Sequence, residues 1–299
     1  MVARPPVRAR RPRPSRRQLA LRRVGALCLL LAAVGIGVWL ATGAIGGKKK
    51  KAVPVDTRPL RIIFPEGFTR EQMAERITAV DKIAQTKRHV TPHLSGRAYL
   101  ADTKSSKLPG TFARDGKRRP LEGFLFPALY DFTAQTKSAR LVKDQLAAFT
   151  RTWNRVGLSY AKSRNLTPYD VLIIASMVEK EVIAAKERPL VAAVIYNRLH
   201  NRMTLQIDAT LRYGLHISPG TSITQKDLDT QNPYNTTLNH GLPPTPIANP
   251  GFASMQAAAH PAKVDYLYFV RKPDKVHHFF TSSLDAFNAY VAAHPVKGA

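Results

Sequence analysis

Val24 to Gly47 is a run of 24 residues without a charged side chain. As a helix rising 1.5 Å per residue it would span about 36 Å, enough to cross a hydrocarbon core of about 30 Å with some tilt. The pattern predicts one transmembrane helix. Its rival is a cleaved signal peptide, for which Thr42-Gly43-Ala44 offers a small-residue cleavage site. After it, 48–58 has few apolar residues and no period, and reads as a linker. Leu60-Arg-Ile-Ile-Phe64 has strand composition and Pro65-Glu66-Gly67 is a turn. Thr69 with Gln72 three residues on makes a capping box that opens a helix to about Ile77. Residues 81–120 carry Lys, Arg, Ser and Gly with weak periodicity and predict no definite element.

From Leu121 the pattern sharpens. Leu121 to Phe132 mixes aromatic residues with Gly123 and Pro127, an extended segment with a bend, and a helix follows from about Ser138 to Val156. Thr167 as N-cap, Pro168 in the first turn and Asp170 at the third helical position start another helix. Its opening turns, Val171 to Val178, are apolar on every side, which predicts burial all round. Pro189 sits in the first turn of a further helix through about Leu199. The Pro, Gly, Asn and Thr between Ser218 and Gly251 exclude long helices, and Tyr266-Leu-Tyr-Phe-Val270 reads as a strand. The elements together predict an α+β fold.

Charge modifies this picture at the N-terminus. The chain has 46 Lys and Arg against 20 Asp and Glu, yet no acid precedes Asp56, and nine Arg and four Lys lie within residues 1–51. Half of the net +26 therefore belongs to the apolar run's flanks, where anionic lipid explains it better than nucleic acid. Nine Arg before the run against four Lys after it put the N-terminus in the cytoplasm and residues 52–299 outside the membrane. A single cysteine, Cys28, excludes a disulfide framework and Cys-rich zinc modules.

Candidate chemistry gathers at Met177-Val-Glu-Lys-Glu-Val182. Glu179 and Glu181, two residues apart, are separated by about 200° of helical rotation, so only one can face a given cleft. A carboxyl desolvated by apolar neighbours has its pKa raised toward neutrality, which suits a general acid. A solvated helix end is the plainer alternative. Asp208 could be a second carboxylate or an ordinary loop aspartate. His260, His277 and His278 lack the spacing of a metal-binding helix. The chain has no GxSxG elbow, phosphate-binding glycine loop or dinucleotide fingerprint.

Five blocks in order carry a family resemblance. They are Leu121-Glu-Gly-Phe-Leu-Phe-Pro127; Ile174-Ala-Ser-Met-Val-Glu-Lys-Glu181; Val194-Ile-Tyr-Asn-Arg-Leu199 with Leu205-Gln-Ile-Asp208; Asn232-Pro-Tyr-Asn-Thr236 with Gly241 to Gly251; and Tyr266 to Val270 with His278-Phe-Phe-Thr281. Together they resemble the endolytic murein transglycosylase family, the YceG-like proteins. The resemblance implies a basic cytoplasmic tail (1–23), a transmembrane helix (24–47), a linker (48–58), a small LysM-like strand–helix subdomain (59–113) and a YceG-like catalytic domain (114–299). It implies cleavage of peptidoglycan glycan strands between N-acetylmuramic acid and N-acetylglucosamine, leaving 1,6-anhydro ends, with no cofactor and no metal. Implied partners are the glycan strands, the membrane crossed once and cell-wall synthesis proteins, but not nucleic acid.

By motif position the resemblance puts the acid/base on Glu179. Glu122, Tyr196, Asn197, Gln206, Asp208, Tyr234, Asn235 and Thr236 become the substrate contacts. Ala209 stands where the family usually has Pro, and Phe287 where His is common. A hydrolytic muramidase and a non-catalytic wall-binding scaffold are the competing functions. The mass of the digest ends separates the first, and absence of cleavage the second.

Overall fold

The computed structural model describes residues 58–218 and 220–295. The expected tail 1–23, membrane span 24–47 and all of the linker except Arg58 lie outside them. Among the described residues no helix is long and apolar enough to cross a membrane.

In chain order the first half runs β1 (Leu60–Ile63), α1 (Arg70–Arg88), α2 (Gly96–Lys104), β2 (Ser106–Lys107), β3 (Arg118–Arg119), β4 (Leu129–Phe132) and α3 (Ser138–Trp153). The second half holds α4 (Ser159–Ser163), α5 (Pro168–Glu181), α6 (Arg188–His200), α7 (Asp208–Gly214), α8 (Gln225–Leu228) and α9 (Phe252–Ala259), then β5 (Tyr268–Arg271), β6 (His278–Thr281) and α10 (Leu284–Ala293). The strands make three antiparallel pairs, β1 with β4, β2 with β3 and β5 with β6. The helices supply most of the interior, so the α+β expectation holds.

Local chemistry explains the boundaries. The Thr69–Gln72 capping box forms both of its bonds, and α1 continues to Arg88, well past Ile77, until His89 turns left-handed at φ +52°. Nothing between Thr78 and Arg88 breaks a helix, and Met73, Ala74, Ile77 and Ala84 supply its buried face. Within the unassigned 81–120 region, the Ser95 hydroxyl caps α2 by accepting the Ala98 N–H. β1 needs a partner edge and finds it in β4, with Leu60 opposite Phe132 and Ile63 opposite Leu129. Ser106 likewise pairs with Arg119, and the Leu121 N–H donates to the Thr103 carbonyl at 2.9 Å. These pairings join residues on the two sides of position 113.

The core centres on α5. Val171 to Val178 are all buried, and they pack on α6 and on the small residues Ala257 and Ala258 of α9. Each fully buried Val, Leu or Ile contributes roughly 1.5–3 kcal/mol. Phe112, Phe124, Phe149 and Trp153 form an aromatic cluster beside it, with Phe112 and Phe124 edge-on at 4.9 Å. Gly123 lets the chain pass between this cluster and Pro246. Its φ is +88°, and a Cβ there would lie 2.7 Å from the proline Cβ and Cγ.

Candidate active site

The helix α5 is fixed at both ends. Thr167 and Asp170 complete a capping box at its start, and the chain leaves helical geometry at Val182. Glu181 is its last residue, half-buried on the wall of a cleft of about 940 Å³. Burial pushes the Glu181 carboxyl up to about 7, Asp208 adds to the rise, and Arg271 and the Ala209 N–H oppose it. Arg271 also donates from Nη2 to the Glu181 main-chain carbonyl at 2.8 Å, which ties β5 to the end of α5.

Opposite elements of the same wall come from the Leu205–Asp208 segment. The Arg198 guanidinium, buried under it, donates to the carbonyls of Thr204 and Leu205 and to Gln206 Oε1 at 3.1, 3.0 and 2.9 Å, and to the Leu267 carbonyl at 2.6 Å. Gln206 has φ +54°, a left-handed backbone that a non-glycine residue keeps only where its surroundings hold it. The Gln206 N–H bond to the Thr236 carbonyl and the Arg198 contact supply that hold. Asp208 follows at the first turn of α7, open to solvent on one side. The cleft wall raises its pKa by desolvation, and Arg212 pulls the other way. Of the residues expected from the motifs, Gln206 and Asp208 line the cleft.

Glu179 lies elsewhere on the helix. Its Oε2 accepts the Gly251 N–H at 3.0 Å, and its Cγ sits against Gly67. Glu66 approaches the same glycine, so that a Cβ on Gly251 would collide with the Glu66 carboxylate. Burial raises the Glu66 pKa, the Glu179 charge raises it further, and Arg188 lowers it. Glu179 is not among the residues that line the large cleft.

The other expected contacts brace the frame. Glu122 is fully buried beneath the start of α1. It accepts the Arg70 N–H on both oxygens at 3.2 Å, Asn249 Nδ2 at 2.8 Å and the Tyr213 hydroxyl at 3.1 Å. Burial pushes it up to about 8, with Glu71 adding and Arg70 and the Tyr213 hydroxyl opposing. Tyr196, buried, donates to the Ala258 carbonyl at 2.9 Å, and Asn197 donates to the carbonyls of Val264 and Tyr266, both at 2.9 Å. Asn235 Nδ2 holds the carbonyls of Leu228 and Thr230, and Thr236 Oγ1 accepts the Ile207 N–H at 3.0 Å. Tyr234, half-buried, meets Thr245 Oγ1 at 2.8 Å and stacks edge-on against Tyr213.

Sequence reasoning weighed His278 only for metal binding and as part of a motif block, and it passed over Arg271 and Glu187. Arg271 and His278 are cross-strand partners on β5 and β6, and both line the cleft. His278 Nδ1 lies 2.7 Å from Glu187 Oε2. No spacing links Glu187 to a histidine 91 residues away, so only the fold reveals the pair.

A central helix buried along Val171–Val178 thus delivers one desolvated carboxyl, Glu181, to the wall of a cleft. The chain belongs to the YceG-like family, whose profile matches residues 46–293. It is 35% identical over 218 residues to a Bacillus subtilis (strain 168) protein named endolytic murein transglycosylase, covering 71% of this chain and 59% of the relative. A Streptococcus pneumoniae (strain ATCC BAA-255 / R6) protein of the same name is 30% identical over 251 residues, 78% of this chain and 44% of the relative. The chain thus spans only about half the length of these relatives. A crystal structure of a yceG-like protein from Listeria monocytogenes superposes with a TM-score of 0.60 at 30% identity, covering 78% of this chain and 76% of that one.

Proposed function

We propose that the chain is a membrane-anchored endolytic murein transglycosylase whose acid/base is Glu181. The observation that carries the reading is the Glu181 carboxyl, raised to about 7 on the wall of a 940 Å³ cleft. A general acid is most effective when its pKa is near the working pH. Motif position had pointed to Glu179, but that carboxylate is engaged by Gly251 and lies off the cleft, so we assign the role to its neighbour two residues on. In the reaction, Glu181 gives its proton to the glycosidic oxygen as the bond from C1 of the muramic acid breaks. The carboxylate then takes the proton from the C6 hydroxyl, whose oxygen closes on C1. The products are a 1,6-anhydro end and a free hydroxyl on the departing sugar, and the carboxyl is left protonated. Gln206 and Asp208 would contact the glycan. Tyr196, Asn197, Asn235, Thr236 and Glu122 act one layer behind, holding the loops that carry these contacts.

The uncharged run Val24–Gly47 supplies the anchor, with the cleft outside the membrane, and fractionation of cells should find the chain in membranes. Asp208 beside Glu181 favours one second reading, hydrolysis by a water that Asp208 activates. Peptide-free glycan strands digested by the purified chain decide between them by mass, since hydrolytic ends are heavier by one water. Glu181→Gln should abolish cleavage and Glu179→Gln should retain most of it. The reverse outcome would return the acid/base to Glu179.

A further inference from the structure

A second carboxylate-bound group opens on the same cleft. Glu187, at the start of α6, receives the His278 N–H on both oxygens at 3.2 Å and His278 Nδ1 at 2.7 Å. The His278 side chain is 2% exposed and that of Glu187 12%, so water competes little for this pair. An ionised carboxylate only accepts, so Nδ1 carries the proton and the ring's other nitrogen is fixed in role and direction. Nε2 makes no hydrogen bond to the described residues, yet it is not among their buried unpartnered atoms, and the ring lines the cleft. In the neutral ring Nε2 is an acceptor.

Its position relative to Glu181 follows from strand register. His278 lies directly opposite Arg271, and Arg271 binds the Glu181 carbonyl. Phe269 and Phe280 flank the ring at 5.5 and 5.9 Å and limit its rotation. A simple staple between α6 and β6 would be complete with the Nδ1 and main-chain bonds. It would not require a second nitrogen turned to the cleft.

We propose that His278, oriented by Glu187, is a substrate-positioning residue whose Nε2 accepts a hydrogen bond from a hydroxyl of the glycan held against Glu181. The proposal rests on the glycan-cleaving reading of the cleft. Its role is distinct from acid–base transfer, because it sets where the sugar ring lies.

The test compares His278→Asn with His278→Gln in the full chain, using peptide-free glycan strands. The short Asn amide reaches the place of Nδ1 and keeps the Glu187 bond, whereas the longer Gln amide reaches the place of Nε2. Losing one such contact should lower kcat/KM about 10- to 100-fold in the Asn variant, chiefly through KM, at a melting temperature near wild type. The Gln variant should retain more activity than the Asn variant even if it melts lower. Full activity of the Asn variant, or losses in both that simply follow their melting temperatures, would overturn the proposal.

A second measurement stands if either variant fails to fold. In Glu181→Gln protein with ¹⁵N-labelled histidine, the His278 Nε2 resonance should shift when glycan strands are added. An Nε2 signal that stays put while glycan binds also overturns the proposal. A wild-type chain that neither binds nor cleaves glycan overturns the underlying reading with it.

Discussion

Replacing Glu122 by Ala tests whether this carboxylate is a brace or a sugar contact. In the folded chain three donors converge on it, the Arg70 N–H, Asn249 Nδ2 and the Tyr213 hydroxyl. Asn249 Nδ2 keeps a second acceptor in the Phe68 carbonyl, so truncation orphans mainly the other two. An unsatisfied buried donor costs about 1–3 kcal/mol, and the space left by the carboxyl adds about 1 kcal/mol, for a loss of about 3–7 kcal/mol with two donors orphaned. A chain of this size loses roughly 2–4 °C per kcal/mol, so thermal unfolding should come about 6 °C earlier at the least. Glu122→Gln keeps one acceptor oxygen for Arg70 and Asn249, and its amide can donate to a rotated Tyr213 hydroxyl, so it should cost only about 1 kcal/mol. Circular dichroism melts of the three proteins, with glycan binding measured alongside, read out both effects. An Ala variant that melts like wild type but no longer binds glycan would refute the brace and make Glu122 a substrate contact.

Gly123→Ala should cost about 2–5 kcal/mol, from the left-handed backbone and the clash with Pro246, and a melting temperature unchanged within a degree would contradict the packing described. The ordinary Glu pKa is 4.5, and Glu181 stands at about 7 in the fold, so the folded chain holds a proton that the unfolded chain releases. Its stabilisation is full below 4.5 and is lost as pH rises through about 7, Glu122 extending the loss toward about 8; melts across this range should show that slope, shallower in Glu181→Gln. Cleavage should fall over the same upper range because the acid must start protonated, and a rate still climbing above about pH 8 would count against Glu181. Residues 52–299 expressed without the apolar run should remain soluble and still cut isolated glycan, since the proposed anchor would supply location and not chemistry.

Elements with strong local signals were legible in the sequence. Thr167-Pro168 with Asp170 marked the start of α5, and the unbroken apolar stretch to Val178 marked its burial. By contrast, α2 depends on Ser95 and on packing against α1 and α3, which local pattern does not reveal. The resemblance pointed to the end of α5, and the fold sets Glu181 rather than Glu179 on the cleft wall. Rotation separated Glu179 from Glu181, yet which side is hollow depends on β5, α7 and the Leu205 segment closing around it. Tyr196 and Asn197 have the residue types of sugar contacts, and only the fold reveals that the Tyr196 hydroxyl meets the Ala258 carbonyl and the Asn197 amide those of Val264 and Tyr266. Long-range partners such as Glu187 and His278 leave no periodic trace at all.

The place of Glu181 at the last turn of α5 has an electrostatic consequence of its own. Aligned peptide dipoles leave a helix's C-terminal end partly negative, which repels a carboxylate and favours the neutral acid. The helix that delivers this side chain to the cleft thereby helps to keep it loaded with a proton. The Arg271 guanidinium, bonded to the Glu181 carbonyl, is the counterweight at that negative pole. The thirteen residues of helix upstream, eight of them buried, thus act on this carboxyl through their orientation as well as their packing, and fraying α5 at its N-terminal end would retune the carboxyl without touching the cleft wall.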